Sequence, residues 1–221
     1  MKRNLRAEKP GRIELYASVD ELRAEGIGER DASDERLSAL SRAATSEIDR
    51  ICGWWFEPRG ARFELSGRGS RSLELPVPPI RIDSVFVRGE RVPVNSFHVE
   101  GAPILPGFNM PLITWKSARR FPQALGGVVV EGRFGFTEPD GSKEGMIPPS
   151  IRRACMLMVL GGIHPLAHEA AFDARNRWRL VEEKTRDQSY KLTAVASGLN
   201  IDPEVEAVLC RYRRPAPLGA A

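Results

Sequence analysis

The chain has 221 residues, of which 42% are hydrophobic and 28% are charged, and it carries a net charge of +4 with a pI of about 9.2. This composition is typical of a soluble globular protein with a sizeable core, and no apolar run approaches the ~20 residues that span a bilayer. Basic residues are spread along the chain with acidic residues between them, so contact with nucleic acid is permitted but not required.

The N-terminal stretch "MKRNLRAEKPGR" is charged and has no apolar core behind it. It lacks the pattern of a secretory signal, and we expect residues 1–15 to form a flexible basic arm. The three cysteines, Cys52, Cys155 and Cys210, are widely spaced and odd in number, which argues against a disulfide framework. Each falls in a helical pattern, which predicts buried free thiols and a reducing compartment.

The first part of the chain carries helical signals. Ser18 and Glu21 have the spacing of a capping box, and Gly26 favours a helix exit. A longer helix is predicted for "SDERLSALSRAATSEIDRICG", because apolar residues recur there at helical spacing. This apolar stripe consists of Leu37, Leu40, Ala44, Ile48 and Ile51. The polar face, solvated or facing a partner, carries Arg36, Arg42, Glu47 and Asp49.

Three aromatic residues, Trp54, Trp55 and Phe56, directly follow this second helix. Aromatic side chains bury large apolar areas, and at a helix exit they commonly fill a junction between two core regions. We favour this interpretation. A platform on which a ligand stacks is the alternative.

The apolar period then changes from 3.6 to 2, which predicts β structure. The stretch "RFELSGRGSRSLEL" predicts a hairpin whose strands carry Phe63 and Leu65, then Leu73 and Leu75, joined by a glycine-rich loop. "PVPP" cannot lie in a central strand and marks a crossing. Alternation resumes in "IRIDSVFVRGERVPVNSFHV", with a turn at Gly89, and "GGVVVEGRFGF" predicts another strand.

Helical spacing returns in "IPPSIRRACMLMVLGGIHP", where proline occupies the first turn. The inward face of this helix is predicted to carry Ile151, Ala154, Cys155, Met158 and Val159. The next stretch, "AHEAAFDARNRWRLVEEKTRDQSYKLTAVASG", is polar and weakly periodic, which predicts a long connection with room for one short helix.

The stretch "DPEVEAVLCRYRRP" predicts a last helix with a defined start and end. Asp202 is the expected N-cap and Pro203 the first helical residue. Glu204 and Glu206 complement the positive end of the helix dipole. The apolar stripe of this helix consists of Val205, Val208, Leu209 and Tyr212.

Three arginines, Arg211, Arg213 and Arg214, crowd the C-terminal end of this helix. The dipole favours each exposed cation there by only ~0.3–1 kcal/mol, which is modest for adjacent charges that repel one another. Guanidinium groups suit carboxylates on a partner, and arginine is enriched at interface hot spots. We therefore predict a partner interface here. The alternative is a terminal helix packed on its own core with a solvated basic end.

Residue patterns for catalysis or cofactor binding are weak. His164 and His168 are four apart, as metal ligands on a helix are, but Pro165 lies between them and no cysteine is near. The stretch "GRGSR" is read as a hairpin turn and not as a phosphate cradle, because it joins two strands. No common catalytic motif occurs, so we expect no enzyme and no catalytic, cofactor or metal site.

These patterns predict an α+β fold class, with a mainly α-helical frame of about four helices and an inserted small antiparallel β unit. The helical domain is predicted to comprise residues 16–56 and 141–221, and the inserted β unit residues 57–140. Within the helical domain, the helical frame itself is expected over about 17–55 and 146–214.

Four segments in order give the sequence a likeness to a known family. They are "DERLSALSRAATSEIDRICGWWFEPR", "LELPVPPIRIDSV", "GRFGFTEPDGSKEGMIPPSIRRACMLMV", and "EEKTRDQSYKL" followed by "DPEVEAVLCRYRRP". Over about residues 17–215, the sequence resembles the head–tail adaptor (connector) proteins of tailed bacteriophages and gene transfer agents. The β insert is longer than in the compact members of this family. Its role is therefore the part of the family's function that carries over least well to this chain.

The resemblance implies a structural virion protein, made in the bacterial host cytoplasm and located at the head–tail interface. It would form a ring, expected to be dodecameric, below the portal protein, extend the DNA channel without sequence-specific binding, and dock a tail-side stopper or tail completion protein. It implies no cofactor and no membrane contact. A ring needs two different complementary faces on each subunit. The alternative function is a basic nucleic-acid-binding module.

For such an assembly we expect residues 170–198 to be mobile in the free subunit and ordered in the ring, because a polar segment buries little surface alone. Trp178 and Tyr190 are the predicted anchors of this segment, since large aromatic side chains dominate interface energetics. The predicted partner interface therefore comprises six residues: Trp178, Tyr190, Arg211, Tyr212, Arg213 and Arg214.

Overall fold

The computed structural model describes residues 14–100, 110–163 and 202–215, and the backbone of two short strands within 182–191. Its described helices are α1 (Val19–Ala24), α2 (Asp34–Cys52), α3 (Pro149–Gly162) and α4 (Pro203–Tyr212). Its described strands are β1 (Arg59–Leu65), β2 (Ser72–Glu74), β3 (Pro79–Val87), β4 (Glu90–Val92), β5 (Phe97–Glu100), β6 (Leu112–Trp115), β7 (Val128–Phe134), β8 (Glu182–Thr185) and β9 (Gln188–Lys191).

Helix and strand take about equal shares of these residues. The prediction of a mainly α-helical frame with a small β insert is therefore wrong. Several of the strands are only three or four residues long, too short for a period of two to stand out in the sequence. They form because distant segments supply their backbone partners.

The chain divides into two compact units. The helical unit comprises Leu15–Ile51 and Pro149–Arg211, and the sheet unit comprises Cys52–Pro148 together with the residues from Tyr212 onward. The domain bounds expected from the sequence, with the basic arm at 1–15, stay a prediction.

The helical unit begins with the capping box expected from the sequence. The backbone N–H of Glu21 donates to Ser18 Oγ at 3.2 Å, and the N–H of Ser18 donates to Glu21 Oε2 at 2.8 Å. Gly26 then has a φ of 97°, the left-handed conformation that ends a helix. Both local predictions are confirmed.

The core of the helical unit is built on one face of α2. Leu37, Ile48 and Ile51 of the predicted stripe are buried, but two polar residues, Ser41 and Thr45, share this face and are also buried. Ser41 Oγ donates to the carbonyl of Ala17 at 2.5 Å, and Thr45 Oγ1 accepts the N–H of Tyr16 at 3.2 Å. These bonds satisfy groups whose burial would otherwise be costly.

Two residues of the predicted polar face of α2, Arg36 and Asp49, form hydrogen bonds within the helical unit. The guanidinium of Arg36 donates from Nε to the carbonyl of Ile163 at 2.8 Å and from Nη2 to that of Gly162 at 3.0 Å, which satisfies carbonyls at the end of α3. Asp49 accepts the hydroxyl of Tyr16. This face is thus only partly available to solvent or a partner.

The sheet unit contains a four-stranded antiparallel sheet in the order β1-β7-β3-β4. Its central strand β7 alternates buried and half-buried residues along its whole length, which confirms the strand predicted from "GGVVVEGRFGF". The turn at Gly89 is also confirmed. Arg88 and Gly89 both have positive φ values, of 55° and 83°, as a tight two-residue hairpin requires.

A second, three-stranded antiparallel sheet has the order β2-β6-β5. Since β1 pairs with β7 and β2 pairs with β6, the predicted hairpin of "RFELSGRGSRSLEL" is wrong. Its glycine-rich stretch is a crossover from one sheet to the other. The apolar alternation of β1 and β2 was real, but backbone pairing with segments about 40 or more residues away decided which sheet each strand joined.

Within the segment read as a long connection, β8 and β9 pair as an antiparallel hairpin. Trp178 lies outside the described residues, as do His164 and His168. Tyr190 lies in β9, where only the backbone is described. The expected mobility of 170–198 therefore stays a prediction. In the described ranges, no helix combines the length and apolar character needed to cross a bilayer.

Candidate assembly surface

The N-terminus of α4 is built as its sequence predicts. Asp202 is the N-cap, and its Oδ1 accepts the N–H of Glu204 at 2.7 Å. The carboxylate of Glu204 pairs with Arg153 of α3 at 2.7 Å, at an exposed position. The hydrogen bond from this guanidinium lowers the pKa of Glu204. Glu206, by contrast, is buried, so only one of the two predicted dipole partners is a surface charge.

The apolar stripe of α4 is confirmed. Val205 and Leu209 are fully buried, and Val208 is half-buried. Tyr212, the last residue of the helix, is 4% exposed. Its interactions, which lie in the sheet unit, make it a core residue of this chain.

Tyr212 joins an aromatic cluster. Its ring meets Phe56 edge-on at 5.7 Å and Phe136 at 5.3 Å between centroids. Edge-to-face contacts of this kind contribute about 0.5–1.5 kcal/mol beyond area burial. The Tyr212 hydroxyl donates to Glu138 Oε1 at 2.8 Å. Little of this side chain is left to meet a partner.

The basic C-terminal end of α4, formed by Arg211, Arg213 and Arg214, is not uniform. Arg211 and Arg213 are exposed, whereas Arg214 is half-buried. The backbone N–H of Arg214 donates to the carbonyl of Cys52 at 2.7 Å, and a Cβ on Gly53 would lie 3.3 Å from the Arg214 Cβ. Among the residues of the predicted partner interface whose side chains the structure describes, Arg211 and Arg213 are thus the exposed ones.

The aromatic exit of α2 lies in the core of the sheet unit. Trp54 and Phe56 are buried, and both rings lie 5.8 Å from Phe136. Trp55 is half-buried, and its Nε1 donates to the carbonyl of Phe134 at 2.7 Å. This arrangement fits the core-filling interpretation and leaves no broad ring face for a stacked ligand on Trp54 or Phe56.

Chemistry-bearing side chains are scattered. In the part of the chain that the structure describes, no three His, Cys, Asp or Glu residues come together as metal ligands could, and His98 is exposed on β5. Cys52 and Cys155 are buried as expected, but Cys210 is exposed, so the prediction of a buried thiol is wrong there. Cys210 follows the buried Leu209 on α4 and therefore points to another side of the helix.

The sheet unit also carries a groove of about 240 Å³ lined by residues that include Pro78, Pro79, Phe136 and Lys143. Its volume is below the ~300–1,000 Å³ of small-molecule sites. Glu144, at its edge, is bound by Arg133 at 2.7 Å, and this hydrogen bond lowers its pKa. The groove thus offers an ion-paired carboxylate beside proline residues.

The four helices and the two larger sheets of the described residues belong to a fold that also occurs in neck structures of gene transfer agent particles. No protein-family model and no curated protein matches the chain. Solved structures match it, and three of them cover 100% of this chain with 99% of their own chains. One is a chain in the neck of an empty GTA particle computed with C6 symmetry, at 19% identity and a TM-score of 0.59.

Two further matches come from related particles. A chain in the virion of the native gene transfer agent (GTA) particle is 20% identical with a TM-score of 0.57. A chain in the neck of the native GTA particle computed with C12 symmetry is 18% identical with a TM-score of 0.55. The chain therefore has the fold of these neck and virion chains, and the resemblance read from the sequence is confirmed at the level of the fold.

Proposed function

We propose that this chain is a head–tail adaptor, a structural virion protein that forms a ring below the portal, extends the DNA channel and provides the docking platform for tail components. The observation that carries the proposal is the full-length fold match to chains of GTA necks. Both chains are covered almost end to end, so the shared architecture includes the helices and both sheets and is not limited to one common motif.

The symmetry of those necks supports a ring. They were computed with C6 and C12 symmetry, and a cyclic assembly uses the same pair of complementary faces in every subunit.

Within this function, Arg211 and Arg213 are the proposed contacts to a carboxylate-bearing face of the portal or of a neighbouring subunit. Both are exposed at the end of α4. The Tyr212 hydroxyl, which donates to Glu138, and the Arg214 N–H, which donates to the Cys52 carbonyl, hold the backbone of this end in place. Cations held on an ordered backbone lose less entropy on binding than cations on a mobile tail. Trp178 and Tyr190 stay proposed anchors.

Electron microscopy of the purified full-length chain, alone and mixed with portal from the same particle, tests the adaptor function. We expect closed rings, twelve-fold on the portal. A chain that remains monomeric with portal present, at concentrations where portal rings are intact, contradicts the proposal.

The contact residues need a separate test. We expect the double substitution Arg211→Ser and Arg213→Ser to leave the circular dichroism spectrum unchanged and to abolish attachment to portal-bearing heads. The matched control is Arg30→Ser with Arg42→Ser, which removes two other exposed cations of the chain. If heads carrying the first variant acquire tails as well as wild type, the basic end of α4 is only structural.

A further inference from the structure

Two loops of the sheet unit bring together cations that are far apart in the sequence. Residues 66–71 form the crossover between the sheets, and residues 116–120 follow β6. We call them the basic loop pair. They carry five basic residues, all of them exposed: Arg68, Arg71, Lys116, Arg119 and Arg120. Neither loop contains an aspartate or a glutamate.

The two loops are clamped to each other by guanidinium donors. Arg71 donates from Nε to the carbonyl of Trp115 at 2.7 Å and from Nη2 to that of Lys116 at 2.9 Å. Arg120 donates in the opposite direction, from Nη1 to the carbonyl of Gly69 at 3.1 Å. These bonds use only part of the five donors of each guanidinium, so both groups keep donors for a ligand.

Backbone contacts complete the clamp. The N–H of Phe121 donates to the carbonyl of Ser70 at 2.8 Å. Gly67 is buried against the residues that directly follow the second loop, where a Cβ would lie 2.3 Å from the Pro122 carbonyl oxygen. The cations therefore project from a fixed backbone, and a ligand would not have to order the loops.

The charges of the loop pair are not neutralised within the described residues. None of the five basic side chains forms an ion pair with any carboxylate there, although ion pairs are common elsewhere in both units. Charge is also separated along the three-stranded sheet. Glu74 and Glu100 both pair with Leu112 at one end of β6, while Lys116 follows the other end.

The chemistry favours a polyanion over an apolar partner. None of the exposed large apolar residues of the described chain lies in either loop, whereas the centre of a protein interface is usually apolar and aromatic. Repeated cations without an apolar centre are the footprint of proteins that bind phosphodiester backbones. Arg119 lies 5.6 Å over the Trp115 ring, which fixes one of the cations without using its outward donors.

We propose that the basic loop pair is a contact site for the phosphodiester backbone of double-stranded DNA, independent of base sequence. The contact is made by side-chain cations on the rim of the two loops, not by a backbone cradle. The site does not depend on ring formation. A chain that binds DNA through these loops but never assembles on a portal would keep this inference and refute the adaptor function.

The test compares two triple variants of the full-length chain. The first, Arg68→Gln with Lys116→Gln and Arg119→Gln, removes three cations of the loop pair and spares Arg71 and Arg120, which hold the loops. The control, Arg30→Gln with Arg42→Gln and Arg91→Gln, removes three exposed cations elsewhere. Both variants have the same net charge, so binding that follows net charge alone weakens equally in both.

Binding to a fluorescent DNA duplex is measured by anisotropy at several salt concentrations. Each phosphate contact contributes about 0.9 to the log–log salt slope, so three contacts contribute about 2.7. When salt rises from 50 to 200 mM, affinity falls in both proteins, and the factor by which it falls should be about 40 times smaller for the loop variant than for wild type. The control should keep the wild-type slope. Circular dichroism and tryptophan fluorescence confirm that both variants are folded.

Three results would overturn the proposal. If both variants lose the same slope, binding follows net charge and not this site. If neither variant changes the slope, other cations bind the DNA. Binding to labelled poly-glutamate is measured in the same way. If the loop variant loses binding to poly-glutamate but keeps binding to DNA, the loops recognise an acidic protein surface.

Discussion

Replacing Gly67 with alanine should destabilise the sheet unit, because the residue is packed against Phe121 and Pro122, which directly follow the second loop of the basic loop pair. An added Cβ would lie 2.3 Å from the Pro122 carbonyl oxygen and 2.9 Å from the Phe121 Cβ. The first of these contacts is with backbone, so no side-chain rotation relieves it. One loop has to move, and the bond from the Phe121 N–H to the Ser70 carbonyl is the nearest to be strained.

The magnitude follows from two opposing effects. Overpacking costs about 1–3 kcal/mol, and loss of one hydrogen bond adds about 0.5–1.5 kcal/mol. The lower entropy of alanine in the unfolded chain offsets about 0.4–1 kcal/mol. We expect a net loss of about 1–3 kcal/mol for Gly67→Ala. The control is Gly60→Ala in β1, where a Cβ meets nothing within 4 Å, and which should be neutral or stabilising.

Urea unfolding followed by tryptophan fluorescence measures both variants. The probe suits the question because Trp54, Trp55 and Trp115 all lie in the sheet unit. With a slope of about 2 kcal/mol per molar urea, the Gly67→Ala midpoint should fall by about 0.5–1.5 M. A hairpin loop between β1 and β2 would leave Gly67 in solvent. If Gly67→Ala and Gly60→Ala have the same midpoint, the packing of the crossover described above is wrong.

Three further results are expected. Tyr212→Phe should lower the free energy of unfolding by about 1–3 kcal/mol, since it removes a hydrogen bond to the carboxylate of Glu138; an unchanged urea midpoint would contradict this. Partial burial raises the pKa of Glu21, but hydrogen bonds from Ser18 and the nearby guanidinium of Arg152 outweigh burial and lower this pKa below 4.5. The ionised Glu21 therefore stabilises the fold fully above the pKa of the unfolded chain, and this stabilisation is lost as the pH falls through the pKa of the folded chain. The stability gap between wild type and Glu21→Gln should therefore narrow below about pH 4.5, and a constant gap would refute it. Cys210 is exposed and should react with a thiol reagent in the native protein, whereas burial raises the pKa of Cys155, whose reaction should require unfolding; equal rates would rule this out.

Features set by neighbouring residues could be read from the sequence. The capping box of α1, the N-cap of α4 and the turn at Gly89 each depend on a few consecutive residues, and all three are present. The apolar stripes of α2 and α4 were also visible, because a helix repeats its buried positions within one short stretch. These signals located the helices well.

Strand pairing could not be read in the same way. The strand β1 has the alternation of a hairpin partner for β2, yet it pairs with β7. Both pairings satisfy the local pattern, and the choice depends on which distant strand offers a matching edge. The same limit explains the wrong fold class, since β2, β4, β5 and β6 are short strands whose stability comes from their neighbours.

The sequence also did not predict whether particular residues of α4 are buried or exposed. The sequence placed Tyr212 with the arginines of the α4 end as a contact for a partner, but its position also continues the stripe of Val205 and Leu209, and the structure buries it among aromatic rings. Helical spacing favoured the stripe. Cys210 shows the converse, because membership of a helical pattern does not say which face a residue occupies.

The charge distribution is where sequence and fold differ most in what they imply for function. Along the chain, basic residues alternate with acidic ones, which argues for an evenly solvated surface. In the fold, the crossover that replaces the predicted hairpin lies beside the loop after β6, and guanidinium groups of each segment bond to backbone carbonyls of the other. Arg71 and Lys116 are 45 positions apart in the sequence. Had β1 and β2 formed a hairpin, nothing in the local pattern would have placed them close together in space. The topology that the local pattern could not choose is thus what creates the concentrated positive surface, and the two triple variants test that surface directly.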